Sequence, residues 1–215
     1  MKLGCFGCLS VIVLLLLLVM AGGALLFLST NIFTAPDVQS VSFSRADGYS
    51  AQQKLYEIIL RGARRSTRTD PIVLTEREVN AFLAHHLDES AGLPLSPLIV
   101  KLEDGQFFVQ GQTPLKNLLR APLFSYLTPY LSDPRLDRQV WVSIRGRVDI
   151  EGADGKGTRH GTVTVTEFAL GRQPLSSFLL YAAAGPSGSG LFRWPVPSVV
   201  DSVEIHPKQA IIRTH

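Results

Sequence analysis

The rhythm of hydrophobic and polar positions changes repeatedly along this chain, and each rhythm predicts an element. From Leu9 to Leu28 there is no rhythm: LSVIVLLLLLVMAGGALLFL runs for twenty residues without a charge or a proline. A helix of that length spans about 30 Å, the thickness of a bilayer's hydrocarbon core. No water reaches that depth, so the backbone must bond to itself. The pattern predicts one transmembrane helix at 9–28, preceded by a short stub at 1–8. Residues 29–49 then turn polar around one alternating run, Val38, Val41 and Phe43, which reads as linker passing into a short first strand. Over 51–63, Leu55, Ile58, Ile59 and Gly62 recur at helical spacing behind Ser50, which can cap the helix. From Leu74 to Leu87 a second helix is written more fully. Thr75 and Glu78 form a T-x-x-E capping box, Leu74 and Val79 form the staple around it, and Val79, Phe82, Leu83 and Leu87 line one face. Asn80 lies on another face, placed to hold a neighbouring loop.

From Pro97 the period drops to two. Leu98, Val100 and Leu102 alternate with Ile99, Lys101 and Glu103; Asp104-Gly105 predicts a tight turn, and Gln106–Gln112 returns. Leu115–Leu131 is dense in Leu, Phe and Tyr but broken by Pro122 and Pro129, which predicts short helical pieces rather than one rod. Val140, Val142, Ile144, Val148 and Ile150 then share one face of a long strand. Val163 and Val165 face inward on its return, and Phe168 and Leu170 break that phase, which predicts a bulge near Thr166–Glu167. A helix from Pro174 or Leu175 carries Leu175, Phe178, Leu179 and Ala182 on its face. The loop GPSGSG at 185–190 lacks the Lys-Ser/Thr of a phosphate loop. A last hairpin over 199–206 and 209–213 sets Val203 and Ile205 against Ile211 and Arg213. The order predicts an α+β fold: an N-terminal transmembrane helix, then a curved antiparallel sheet packed with helices in a single domain over 50–215.

Charge and cysteine content add an address and remove several functions. Lys2 precedes the apolar run and no further basic residue follows it until Arg45, so the positive-inside rule puts the N-terminus in the cytoplasm and the domain outside. The apolar run continues through Leu25-Leu26-Phe27-Leu28 past the small residues at 21–24, which favours an anchor over a cleaved leader. A net charge of +3 at pH 7 gives no reason to expect nucleic-acid binding. The only two cysteines, Cys5 and Cys8, precede the anchor, so the domain has no disulfide and no thiolate nucleophile. His85 and His86 are adjacent, point about 100° apart and cannot share a metal as an i, i+4 pair would. No G-x-S-x-G, H-E-x-x-H, S-x-x-K or P-loop occurs. Glu167, in mid-strand, is the one carboxylate whose position invites a check for burial. The expectation is no catalysis, no cofactor and no metal.

The run Leu74-Thr75-Glu76-Arg77-Glu78-Val79-Asn80-Ala81-Phe82-Leu83 resembles the L-T-x-x-E-(L/V)-N-x-(F/L)-L helix of small bacterial envelope proteins with one N-terminal anchor. The outer domains of that group are similar to a half-sized tubular lipid-binding (TULIP-like) fold. The later order resembles that group too: a D-G hairpin, long strands, a P-L-x-x-F/L-L helix and a D-x-V-x-I hairpin at Asp201–Ile205. The proline-broken stretch 114–131 departs from it. The resemblance implies lipid binding or trafficking at the cell envelope.

The residues themselves offer more apolar surface than one small core needs. Leu119, Leu123, Phe124, Leu127, Tyr130, Phe178 and Trp194 are the candidates for lining or flanking an apolar ligand. Arg61, Arg64, Arg65 and Arg68 are candidates for contact with anionic lipid headgroups. The partners expected are membrane lipid or, alternatively, another envelope membrane protein assembled on the same apolar surface.

Overall fold

The structure, a computed structural model, describes residues 30–38, 40–90, 95–119, 134–152, 158–184 and 192–215, together with seven positions between 14 and 23. Those seven are helical. The rest of the 9–28 run lies outside the described residues, and among the described residues no helix is long and apolar enough to cross a membrane.

The domain is α+β. Among its described residues four helices accompany nine strands: α1 (Arg45–Gly62), α2 (Glu76–Ser90), α3 (Leu115–Leu119) and α4 (Ser177–Ala184). Among the described residues every strand pairing is antiparallel. A small sheet orders β1 (Ile72–Thr75), β9 (Gln209–Thr214) and β8 (Val200–His206) side by side. A larger one runs β2 (Leu98–Glu103), β3 (Gln106–Pro114), β4 (Gln139–Glu151) and β5 (Arg159–Leu170). The outer edge of β5 is shared by β6 (Gln173–Leu175), which pairs with its end, and β7 (Arg193–Val196), which pairs with its start.

The Asp104-Gly105 turn forms as its sequence predicts, with Gly105 at φ 66°. The bulge also falls where the phase breaks. Arg145 faces Glu167 and Gly146 faces Val165, so Thr166 is the extra residue and bends β5. Glu167 stays exposed on the outer face, 3.3 Å from Arg145.

Several boundaries differ from expectation. Among the described residues of 38–43 no strand forms. Helix α1 begins at Arg45 rather than 51, because Ser44 and Asp47 close a capping box there. Ser50, the expected cap, lies inside the helix and donates to Glu78 instead. The last helix starts at Ser177, because Gln173–Leu175 is drawn into the sheet against Phe168–Leu170. In the final hairpin Val203 faces Ile212 and Ile205 faces Ala210, one residue off the expected pairing. Ile211 therefore points outward beside Glu204, and Ile212 enters the core.

One apolar layer joins the two sheets. Ala51 and Ile58 of α1 pack on Ile72, Leu74, Val200 and Ile212. The layer continues through Ile205 onto Val100 and Leu102. Farther along the large sheet, Val142, Val165 and Phe168 are covered by Leu179, Leu180 and Phe192.

Candidate functional site

Helix α2 places most of the ordered polar chemistry. The capping box is reciprocal: Glu78 N donates to Thr75 Oγ1 at 3.3 Å, and Thr75 N donates to Glu78 Oε2 at 2.8 Å. The same carboxylate is reached from α1 by Lys54 Nζ, at 2.7 and 2.8 Å, and by Ser50. Burial alone would raise the Glu78 pKa, but the bonds from Lys54, Ser50 and Thr75 outweigh it and hold it below the usual value.

Asn80, 1% exposed, binds a strand rather than a loop. Its Oδ1 accepts from Val100 N at 2.8 Å and its Nδ2 donates to Val100 O at 2.6 Å. One turn earlier, Glu76 Oε2 accepts from Leu102 N at 2.8 Å, and Lys208 N donates to Leu102 O at 2.8 Å. The outer edge of β2 is thus closed at Val100 and Leu102 by side chains of α2 and by the β8–β9 turn. The signature T-E-R-E-V-N therefore serves capping and edge closure.

Beside this junction lies a cleft of about 430 Å³. It is lined by Ser40, Ser42, Glu76, Arg77, Lys101 and Lys208, among others. The Glu76 carboxylate is engaged by Leu102 N, and Arg77 is paired with Asp47 at 3.0 Å. Arg77, Lys101 and Lys208 thus line the cleft together with Glu76. Nothing in the local sequence marks it, because its cations come from three separate elements.

The expected ligand-lining residues are only partly placed. Leu119 closes α3 with its backbone, while its side chain and all of Leu123, Phe124, Leu127 and Tyr130 lie outside the described residues. Phe178, in the first turn of α4, is 71% exposed instead of sharing the packed face of Leu179. Trp194 is half-buried on β7 and lies directly over Gly161, where an added Cβ would meet its ring at 2.6 Å. The Tyr181 and Phe192 rings meet tilted at 57°, with centroids 4.8 Å apart. Tyr181 Oη accepts from Val165 N next to the bulge.

The arginine set divides. Arg61 is not a surface residue: its side chain is 3% exposed. Its guanidinium donates to Thr214 Oγ1 and Asp70 O, both at 2.7 Å, and to Glu57 at 3.2 Å. Arg64, Arg65 and Arg68 are exposed in the turn that follows. Ile59, expected in the α1 core stripe, is 60% exposed and shares the outward face with Tyr49 and Tyr56.

Two carboxylates of β8 are held by ion pairs to neighbouring strands. Asp201 is held below the usual carboxylate range by Arg159 and then His215, and Glu204 by Arg213 and then His206. Among the described residues no group of His, Cys, Asp and Glu side chains is arranged to hold a metal ion. No protein-family model, curated protein or solved structure matches the chain.

Proposed function

We propose that this chain is a membrane-tethered domain that binds a lipid or another long apolar ligand on the extracytoplasmic side, without covalent chemistry. The observation that carries the reading is α4, SFLLYAAA. Apart from Ser177 and the Tyr181 hydroxyl its sequence is apolar: Leu179 and Leu180 pack on the sheet while Phe178 is 71% exposed. An all-round apolar helix is stable where something apolar covers its outer side. The tether is supported by the helical positions between 14 and 23. Leu14, Leu16, Leu17, Val19 and Met20 are each 59% to 65% exposed. At about 100° per residue they point all round their axis, which suits a hydrocarbon surround. The resemblance to anchored TULIP-like envelope proteins implies the same activity.

The test uses the full chain extracted in a neutral detergent, with bound lipid quantified by mass spectrometry. Wild type and Ile59→Asp are expected to carry lipid that Phe178→Asp loses. Equal lipid in Phe178→Asp, or none in wild type, refutes the reading. A defined protein neighbour lost with Phe178→Asp would instead identify the surface as an assembly face.

A further inference from the structure

The linker that leaves the apolar segment is not a free tether. Ile32 is 6% exposed and sits in a core cluster with Leu115, Leu136 and Val140. Arg172 N donates to Asn31 O at 2.9 Å, and Arg172 Nε donates to Ala35 O at 3.0 Å. Arg138 stacks over the Phe33 ring at 4.4 Å. Gly171, at φ 58°, lets the two backbones meet: an added Cβ would lie 2.3 Å from Ile32 O. The chain is therefore clamped to the β5–β6 turn within three residues of Leu28, a reach of about 10 Å.

The clamp marks one end of the large sheet. Leu175, opposite Phe168 near the end of β5, leads into α4 and Phe178, and the same end carries the cations Lys116, Arg138 and Arg172 against Asp137 and Asp37. Arg64, Arg65 and Arg68 follow α1 at the other end. There Arg61 bonds Thr214, Thr214 faces Val200, and Val200 O accepts from Arg159 at the start of β5. Roughly 35 Å of strand separates Arg159 from Leu170.

We infer that the clamped linker fixes the orientation of the domain: the β5–β6 turn and the first turn of α4 face the bilayer, with Phe178 at the headgroup boundary and the Arg64–Arg68 turn held away from it. The occupant of this end is an anionic lipid surface. The short reach from the apolar segment, the exposed aromatic ring and the excess of cations all match that surface. This rests on the tether proposed above. It adds that α4 would meet its apolar ligand where lipid is present, without a swing of the whole domain.

The test is depth measurement by spin labels on the full chain in vesicles of phosphatidylcholine with phosphatidylglycerol. Cys5→Ser and Cys8→Ser remove the native thiols, and labels go on Ser176→Cys or on Arg65→Cys. The expected result is a label at 176 that oxygen reaches better than aqueous nickel, and a label at 65 with the reverse preference. Ile32→Asp and the milder Arg172→Ala loosen the clamp and move the label at 176 toward water, while alkaline carbonate still leaves the chain in the vesicle. Labels equally wet at both positions overturn the orientation alone. A label buried at 65 but wet at 176 overturns it in favour of the α1 end. Release of the chain by carbonate overturns the tether and the orientation with it. A label at 176 that is buried in detergent without lipid, at twice the chain mass, assigns this end to a second copy and overturns the lipid surface.

Discussion

Replacing Asn80 by alanine tests whether a side chain acts as the missing neighbour of an edge strand. In the folded chain β2 has β3 on one side only, and Val100 turns its N–H and C=O to the other side, where Asn80 takes both at 2.8 and 2.6 Å. Val100 is 5% exposed, so water does not replace the lost amide. Glu76 O, the third partner of Asn80, is also a backbone acceptor of α2 and is not orphaned by the change. Two backbone groups are left unpaired, at about 1–3 kcal/mol each, so Asn80→Ala is expected to cost about 4 kcal/mol. That is a large share of the ~5–15 kcal/mol that holds a domain of this size. Gln173→Ala removes one exposed bond, to Pro174 O at 3.3 Å, and should cost about 0.5 kcal/mol. Denaturant melts of the full chain can be followed by Trp141 and Trp194, both in the large sheet. Hydrogen exchange gives the local reading: where Val100 N–H opens with the fold, 4 kcal/mol corresponds to about a thousandfold faster exchange. A variant within about 1 kcal/mol of wild type, with Val100 N–H still slow, would show that the edge is closed by something other than Asn80.

Three further outcomes follow from the same geometry. Glu78 has a folded pKa below its unfolded value, so its contribution is complete above about 4.5 and is lost as pH falls through the folded value. Glu78→Gln should therefore be less stable at neutral pH and show a shallower acid limb in melts between pH 6 and 3. An unchanged slope would remove Glu78 from the acid response. Gly171→Ala places a Cβ in left-handed backbone against Ile32 O and is expected to cost about 2 kcal/mol or more in thermal melts; full stability would mean the linker is not clamped there. Arg61→Ala should lower the melting temperature well beyond Arg65→Ala, because only the first leaves Thr214 and the Asp70 carbonyl short of a partner. Equal effects would place Arg61 at the surface.

The elements legible in the sequence are those whose determinants lie within a few residues of one another. The T-x-x-E box, the Asp104-Gly105 turn, the period of two in β2 to β5 and the phase break at Thr166 are all local. The errors come where a distant partner decides. The start of α1 is the exception: its Ser44–Asp47 capping box is as local as Thr75–Glu78, and only the loss of Ser50 as a cap involves a distant partner, Glu78. The β6 strand is three residues long and exists through its pairing with the end of β5. Arg61 reads as one member of a surface cluster until Thr214 and Asp70 are placed around it. The cleft cations Arg77, Lys101 and Lys208 meet only in the fold.

The division between local and distant determinants also separates fold from function. The stretch that most resembles the anchored envelope proteins, Leu74–Leu83, is accounted for by its own structural tasks. Thr75 and Glu78 start α2, Lys54 and Ser50 bind α1 to it, and Glu76 and Asn80 close β2. A motif of this kind bears on how a helix is welded to a sheet, and any ligand could be carried above it. A surface with no such structural task lies elsewhere, on the exposed side of α4 at Phe178. The linker clamp at Arg172 lies six residues before Phe178, so on the reading proposed above the ligand surface and the orienting contacts are neighbours. Mutations in Leu74–Leu83 should therefore be read first as stability changes. Changes at the exposed Phe178 and Arg172 are expected to leave folding largely intact, whereas Ile32, 6% exposed among Leu115, Leu136 and Val140, is a core position whose change is also a stability change.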